Sequence, residues 1–148
     1  MTRGGGRSVI AVVVATLAGS LVAGCGGEVT TAEASVGECF HDPDDASEVG
    51  PLDKAACDEP HDNEVISVFQ LEGDEFPGPE EVRAEALQRC TEDFADYVGS
   101  TVEESDLELS MIVPTEERWE DEDDSEVICW VSTADGSTVD ESVAGSAR

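Results

Sequence analysis

The densest set of reactive side chains is Asp58-Glu59-Pro60-His61-Asp62-Asn63-Glu64. An imidazole among carboxylates can ligate a divalent metal or relay protons. His61 and Glu64 are the pair on which either chemistry would rest. A structural reading competes with it: His61 bonds backbone in the turn after Pro60 and caps the edge of a sheet. His41 lies in a second acidic stretch, Phe40-His41-Asp42-Pro43-Asp44-Asp45, with no evident partner. The rest of the chain offers little for catalysis. There is no Gly-x-Ser-x-Gly elbow to expose a nucleophile. No glycine-rich loop follows a strand to cradle phosphate. We therefore assign no catalytic residue, no resident metal and no cofactor, and expect a non-enzymatic protein.

The cysteines carry the strongest chemical signal. There are five: Cys25, Cys39, Cys57, Cys90 and Cys129. None stands in a Cys-x-x-Cys spacing, which disfavours structural zinc and dithiol redox chemistry. Cys25 differs from the others. It follows Leu21-Val22-Ala23-Gly24, small residues at the end of an apolar run from Val9 to Val22. Arg3 and Arg7 precede that run, and no acid appears before Glu28. As a helix the run reaches about 21 Å at roughly 1.5 Å per residue. That is short of the roughly 20 apolar residues a bilayer core requires, and suits the apolar core of an export signal. The Leu-Val-Ala-Gly-Cys ending resembles the bacterial lipobox. Cleavage after Gly24 would let the Cys25 thiol take a diacylglyceryl group and hold the chain at the outer face of the cell membrane. Two or three acyl chains anchor far better than one, since each buried methylene adds about 0.8 kcal/mol.

With Cys25 lipidated, four cysteines remain in an oxidising compartment. An even number there implies two disulfides, and spacing alone allows three pairings.

The 148-residue chain carries 36 acidic and 7 basic residues, a formal net charge of −29. Lys54 is its one lysine. Such a surface is repelled by nucleic-acid phosphates and by anionic lipid headgroups, so the body should stand away from the membrane that anchors it. Cations, basic proteins and water are compatible partners. The acidity also suits solubility in a salty medium that screens the self-repulsion.

The acid run Glu116–Glu126 attracts divalent cations weakly and diffusely. Asp121, Asp123 and Ser125 alternate as calcium ligands do. A dedicated EF-hand loop nevertheless needs glycine at its sixth position and glutamate at its twelfth, where this chain has Glu126 and Ser132. A solvated hairpin loop between Trp119 and Val127 is the simpler expectation. Trp130, on a strand, reads as core. Trp119 reads equally as core or as part of a binding surface.

These groups need elements to position them. Pro79–Val98 is the clearest helix: Val82, Ala86, Cys90, Phe94 and Tyr97/Val98 recur every three or four residues, with Leu87 widening the stripe. Pro79 suits the first helical position, Glu80 and Glu81 the positive end of the dipole, and Gly99 the stop. Strands are expected at Asn63–Leu71, Leu107–Val113 and Val127–Ser132, with short ones near Gly37–Phe40 and Asp53–Cys57. The order gives an α+β fold: a small antiparallel sheet with one main helix on a face. In that layout Cys39 and Cys57 close a polar loop across adjacent strands, and Cys90 on the helix meets Cys129 on a strand beneath it. The expected organisation is a signal over 1–24, a lipidated cysteine and flexible tether over 25–35, one domain over 36–132, and a disordered acidic tail over 133–148.

Several short motifs recur in a recognisable combination. They are Val36-Gly37-Glu38-Cys39-Phe40; Cys57-Asp58-Glu59-Pro60-His61-Asp62-Asn63-Glu64-Val65; Phe76-Pro77-Gly78; Cys90, Phe94 and Val98-Gly99; then Pro114-Thr115, Trp119 and Cys129. The chain thereby resembles the septum formation domain family of mostly actinobacterial, membrane-anchored extracytoplasmic proteins, over about residues 36–132. The resemblance implies a non-enzymatic surface module in septum or envelope biology, and we expect it to contact another envelope protein. It brings no ligand with it. Where the family tends to carry a Gly-Asp turn with a basic residue after the tryptophan, this chain has Glu120-Asp121-Glu122-Asp123-Asp124-Ser125.

Overall fold

The computed structural model describes residues 34–42, 53–121 and 124–148. The export signal, Cys25, most of the expected tether and Asp123 lie outside the described residues. The elements run β1 (Cys39–His41), β2 (Asp53–Ala55), β3 (Asn63–Gln70), α1 (Pro79–Val98), β4 (Leu107–Ile112), α2 (Glu116–Asp121) and β5 (Glu126–Thr133), with a 3-10 turn at Val102–Glu104. The strands form one antiparallel sheet in the order β2-β1-β3-β5-β4. This is the expected α+β architecture, one main helix on one face of a small antiparallel sheet.

The helix forms where its sequence periodicity dictates. Val82, Ala86, Cys90, Phe94 and Val98 are its buried stripe. Leu87 is not part of it and is half exposed, at 50%. Pro79 starts α1, where a missing N–H costs nothing. Gly99 ends it with φ of 85°, donating its N–H to the Ala95 carbonyl; only glycine adopts that conformation without strain. The last turn of α1 carries no basic side chain.

Beneath the helix lie Phe69 and Leu71 from the β3 side, Leu107 from β4, and Val127, Cys129 and Val131 from β5. Alternation along β5 sends Val127, Cys129, Val131 and Thr133 to the helix side, while Ile128 and Trp130 face away and stay partly exposed. The pairing register shifts between Val65 and Ser67 of β3. This bulge inserts Ile66 as an extra residue, so Glu64 before it and Ser67 and Phe69 after it all share the helix side.

Cys39 is bonded to Cys57 and Cys90 to Cys129, with Cα atoms 5.4 and 5.9 Å apart. The first bridge ties β1 to the segment after β2. The second staples α1 to β5.

Three expectations need correction. Residues 133–148 do not hang as a tail. Thr133 completes β5, and the segment beyond it folds back over the sheet and the end of α1, with Val143 buried at 2%. Its small, acidic composition resembles disorder, yet two valines four positions apart give it apolar anchors. The run after Pro114 is not all solvated loop: Glu116–Asp121 is helical, and α2 buries Trp119 in the core, edge-on to Phe76 with ring centroids 5.8 Å apart. Its start is held by the Thr115 hydroxyl, which accepts the Arg118 N–H. Trp130 is not in that core; it packs edge-on against Phe40 on the opposite face.

Candidate functional site

The sequence-expected pair His61 and Glu64 does converge, at the N-terminal end of β3. Both are fully buried, at 0% and 1% exposure. Pro60 leads into this strand, and Asn63 and Glu64 pair with Phe40 and Cys39 of β1. On the other side Glu64 pairs with Val131 of β5. The sheet thus flanks Glu64 on both edges, and the helix-side face directs its carboxylate under α1.

A carboxylate without water needs donors. Glu64 has three. Tyr97 Oη and Ser142 Oγ each donate to Oε1 at 2.6 Å. The backbone N–H of Val143 donates to Oε2 at 2.8 Å. Tyr97 comes from the last turn of α1, and the other two come from the C-terminal segment. Burial pushes the Tyr97 hydroxyl up to about 12, with its hydrogen bond to Glu64 and the nearby negative charge adding to the effect. It therefore stays a proton donor throughout the physiological range. Gly37, with φ of 83°, packs close by: a Cβ there would sit 3.5 Å from Tyr97 Oη.

His61 is held differently. Its Nδ1 lies 2.8 Å from the Glu59 carbonyl, which can only accept, so Nδ1 carries hydrogen. Nε2 then faces Glu64 Oε2 at 4.0 Å, too far for a hydrogen bond, and has no partner among the described residues. The His61 backbone exchanges two bonds with Val139: its N–H donates at 2.8 Å and its carbonyl accepts at 3.0 Å. An isolated antiparallel bridge thus joins the turn before β3 to Val139; β3 is an interior strand, so this bridge is not at an edge of the sheet.

Cys39, His61 and Glu64 offer ligand atoms within 4.8 Å of one another. The Cys39 sulfur is bonded to Cys57, and both oxygens of Glu64 already accept hydrogen bonds. As built, the site joins three elements: β3, the end of α1 and the C-terminal segment.

The remaining candidates lie elsewhere. His41 has a partner after all, since its Nδ1 lies 3.2 Å from Asp62 Oδ2. Trp119 is about core packing. In the acid run, Asp124 receives Arg118 and the N–H of Glu126, and Ser125 donates to the Leu71 carbonyl at 2.8 Å. These groups tie the loop to the body. The sequence placed Tyr97 only in the apolar stripe of α1 and gave no role to Ser142 or Val143. The spacing of Val139 and Val143 was the available signal for the last two.

The septum formation family model matches residues 25–129, most of the chain. The chain belongs to the septum formation family. The match ends inside β5, so in this family member the groups from Ser142 and Val143 come from beyond the matched residues. Neither a curated protein nor a solved structure matches the chain.

Proposed function

We propose that this septum formation protein is a lipid-anchored, extracytoplasmic, non-catalytic module that acts in septum or envelope processes through protein contacts. Family membership supports the septum and envelope part. The observation that carries the non-catalytic part is the closure of its best polar pair: His61 and Glu64 lie sealed beneath the chain's own C-terminal segment. A general base needs its proton-accepting atom within reach of substrate, and this carboxylate is wholly engaged with Tyr97, Ser142 and Val143. Anchoring rests on the Leu21–Cys25 motif, and the strong negative charge favours a body standing off the lipid surface.

Localising a tagged chain in dividing cells tests the reading. The expected result is a membrane-bound protein enriched at septa and released by Cys25→Ser. A uniform membrane signal would remove the septal role, and a Cys25→Ser protein that stayed on the membrane would remove the anchor.

One observation favours a second reading, a membrane-displayed binding protein for a small ligand or divalent cation. His61 Nε2, without a hydrogen-bond partner among the described residues, lies 4.0 Å from Glu64 Oε2, which accepts the Val143 N–H, a gap that a metal ion with oxygen and nitrogen ligands could bridge. Calorimetric titration with zinc and calcium decides it. Heat at micromolar affinity that disappears in His61→Ala would establish a cation site, and its absence would eliminate one.

A further inference from the structure

The segment after β5 sits on the domain as a bound peptide sits on its receptor. An exposed turn, Ala134–Thr138, links the two. From there the segment makes mostly main-chain bonds. Val139 exchanges two with His61, Val143 donates to Glu64, and Gly145 and Ala147 donate at 2.8 Å to the Tyr97 and Val98 carbonyls. Those carbonyls belong to the end of α1, where helical partners run out and no basic side chain substitutes. Side chains enter at intervals: Ser142 bonds Glu64, Val143 is buried in the core, and Arg148 pairs with Asp106 at 2.9 Å. Asp140, Glu141, Ala144 and Ser146 stay exposed between them. Main-chain bonds with spaced side-chain pockets are how extended peptides are recognised.

We propose that the groove formed by His61, Glu64 and the C-terminal end of α1 is a peptide-recognition site, filled in cis by Val139–Arg148, that accepts in trans an extended segment of a partner protein carrying a hydroxyl residue followed by a β-branched one, with a basic flank on its N-terminal side. This rests on the reading of the protein as a contact module. The hydroxyl and β-branched pair is the chemistry that Ser142 and Val143 present. The basic flank follows from charge. The cis segment brings Asp140 and Glu141 to a chain whose net charge is −29. A partner with Lys or Arg in those places exchanges repulsion for attraction. It needs that gain, because a tethered segment competes at an effective concentration on the order of millimolar.

The test uses the full chain with both disulfides formed and a protease site placed in the exposed 134–138 turn. After cutting, fluorescence anisotropy follows labelled peptides of residues 138–148. The cut chain should bind the parent peptide and reject one carrying V143D. A peptide carrying D140K and E141K should bind about tenfold tighter at low salt, with the difference closing as salt rises. The uncut chain should take that Lys peptide alone, and more weakly. Equal binding of the V143D peptide, or no binding by a cut chain that keeps its native circular dichroism, would overturn the proposal. If cutting unfolds the protein, hydrogen exchange on the uncut chain decides. The amides of Val139, Val143, Gly145 and Ala147 should open together while β3 and β5 stay protected. Exchange only in step with those strands would make the segment inseparable from the core and end the proposal. Neither measurement needs a membrane or a septum, so failure here is distinct from failure of the localisation.

Discussion

Val143 donates its backbone N–H to Glu64 Oε2 at 2.8 Å, across 79 residues of chain. One end of that bond lies in the most motif-rich stretch of the sequence. The other lies in the stretch with the fewest structural signals. The bond makes Glu64 the point at which β3, α1 and the C-terminal segment are joined.

Glu64→Ala should therefore destabilise the fold by about 3 kcal/mol, because it strands the Tyr97 hydroxyl, the Ser142 hydroxyl and the Val143 N–H together. Urea unfolding monitored by tryptophan fluorescence measures this. A loss below about 1 kcal/mol would mean the three donors find water or other partners.

Tyr97 gives a pH signature. Its hydroxyl is pushed up to about 12 in the folded protein, mainly by burial, against about 10 in an unfolded chain. A raised value means the protonated form is favoured by folding. That stabilisation is complete below pH 10 and is lost as pH climbs toward 12. The thermal midpoint should fall over this window in the wild type. Tyr97→Phe, with no hydroxyl to ionise, should start lower and fall less. Parallel curves for the two proteins would contradict the assignment.

Replacing His61 separates a structural from a ligand-binding role. The ring is fully buried and held by the Glu59 carbonyl, so His61→Ala should cost about 2–3 kcal/mol through the lost bond and the space left behind. Metal-free wild type and variant should be compared by denaturant titration. Unchanged stability would favour a residue kept for a ligand.

The two disulfides should contribute unequally. Cys39–Cys57 spans 18 residues and Cys90–Cys129 spans 39. In the chain-entropy model these loops correspond to about 3 and about 4 kcal/mol. The paired replacement Cys90→Ala with Cys129→Ala should lower the unfolding midpoint more than Cys39→Ala with Cys57→Ala. The longer bridge also lies inside the core, where its loss removes packing.

A net charge of −29 is repulsion carried by the folded state. Raising salt from about 0.01 to about 0.15 M should lift the thermal midpoint by about 5 °C. A midpoint independent of salt would show that the acids are spaced too widely to interact.

The extent of α1 was legible because a 20-residue amphipathic period with Pro79, two glutamates and Gly99 leaves few alternatives. The strands were legible to within a residue or two from their β-branched runs. Once the order of elements was known, adjacency suggested the cysteine pairing. The α2 helix was obscured by the five acids in a row after Trp119, a composition that reads as loop until Thr115 caps the helix. The β3 bulge was hidden because Val65, Ile66, Val68 and Phe69 fit a strand in either register.

By itself, the sequence determined the elements, the charge, the even set of four cysteines after Cys25, and the family motifs. These follow from local periodicity and residue chemistry, which need no knowledge of distant neighbours. Only the tertiary structure decided that Glu64 is a buried junction instead of an open site, and that residues 134–148 complete the domain. Both depend on one carboxylate meeting donors from residues 33 and 79 positions away. Bonds at that range leave no local period to read, because their strength comes from the water that the assembled fold excludes.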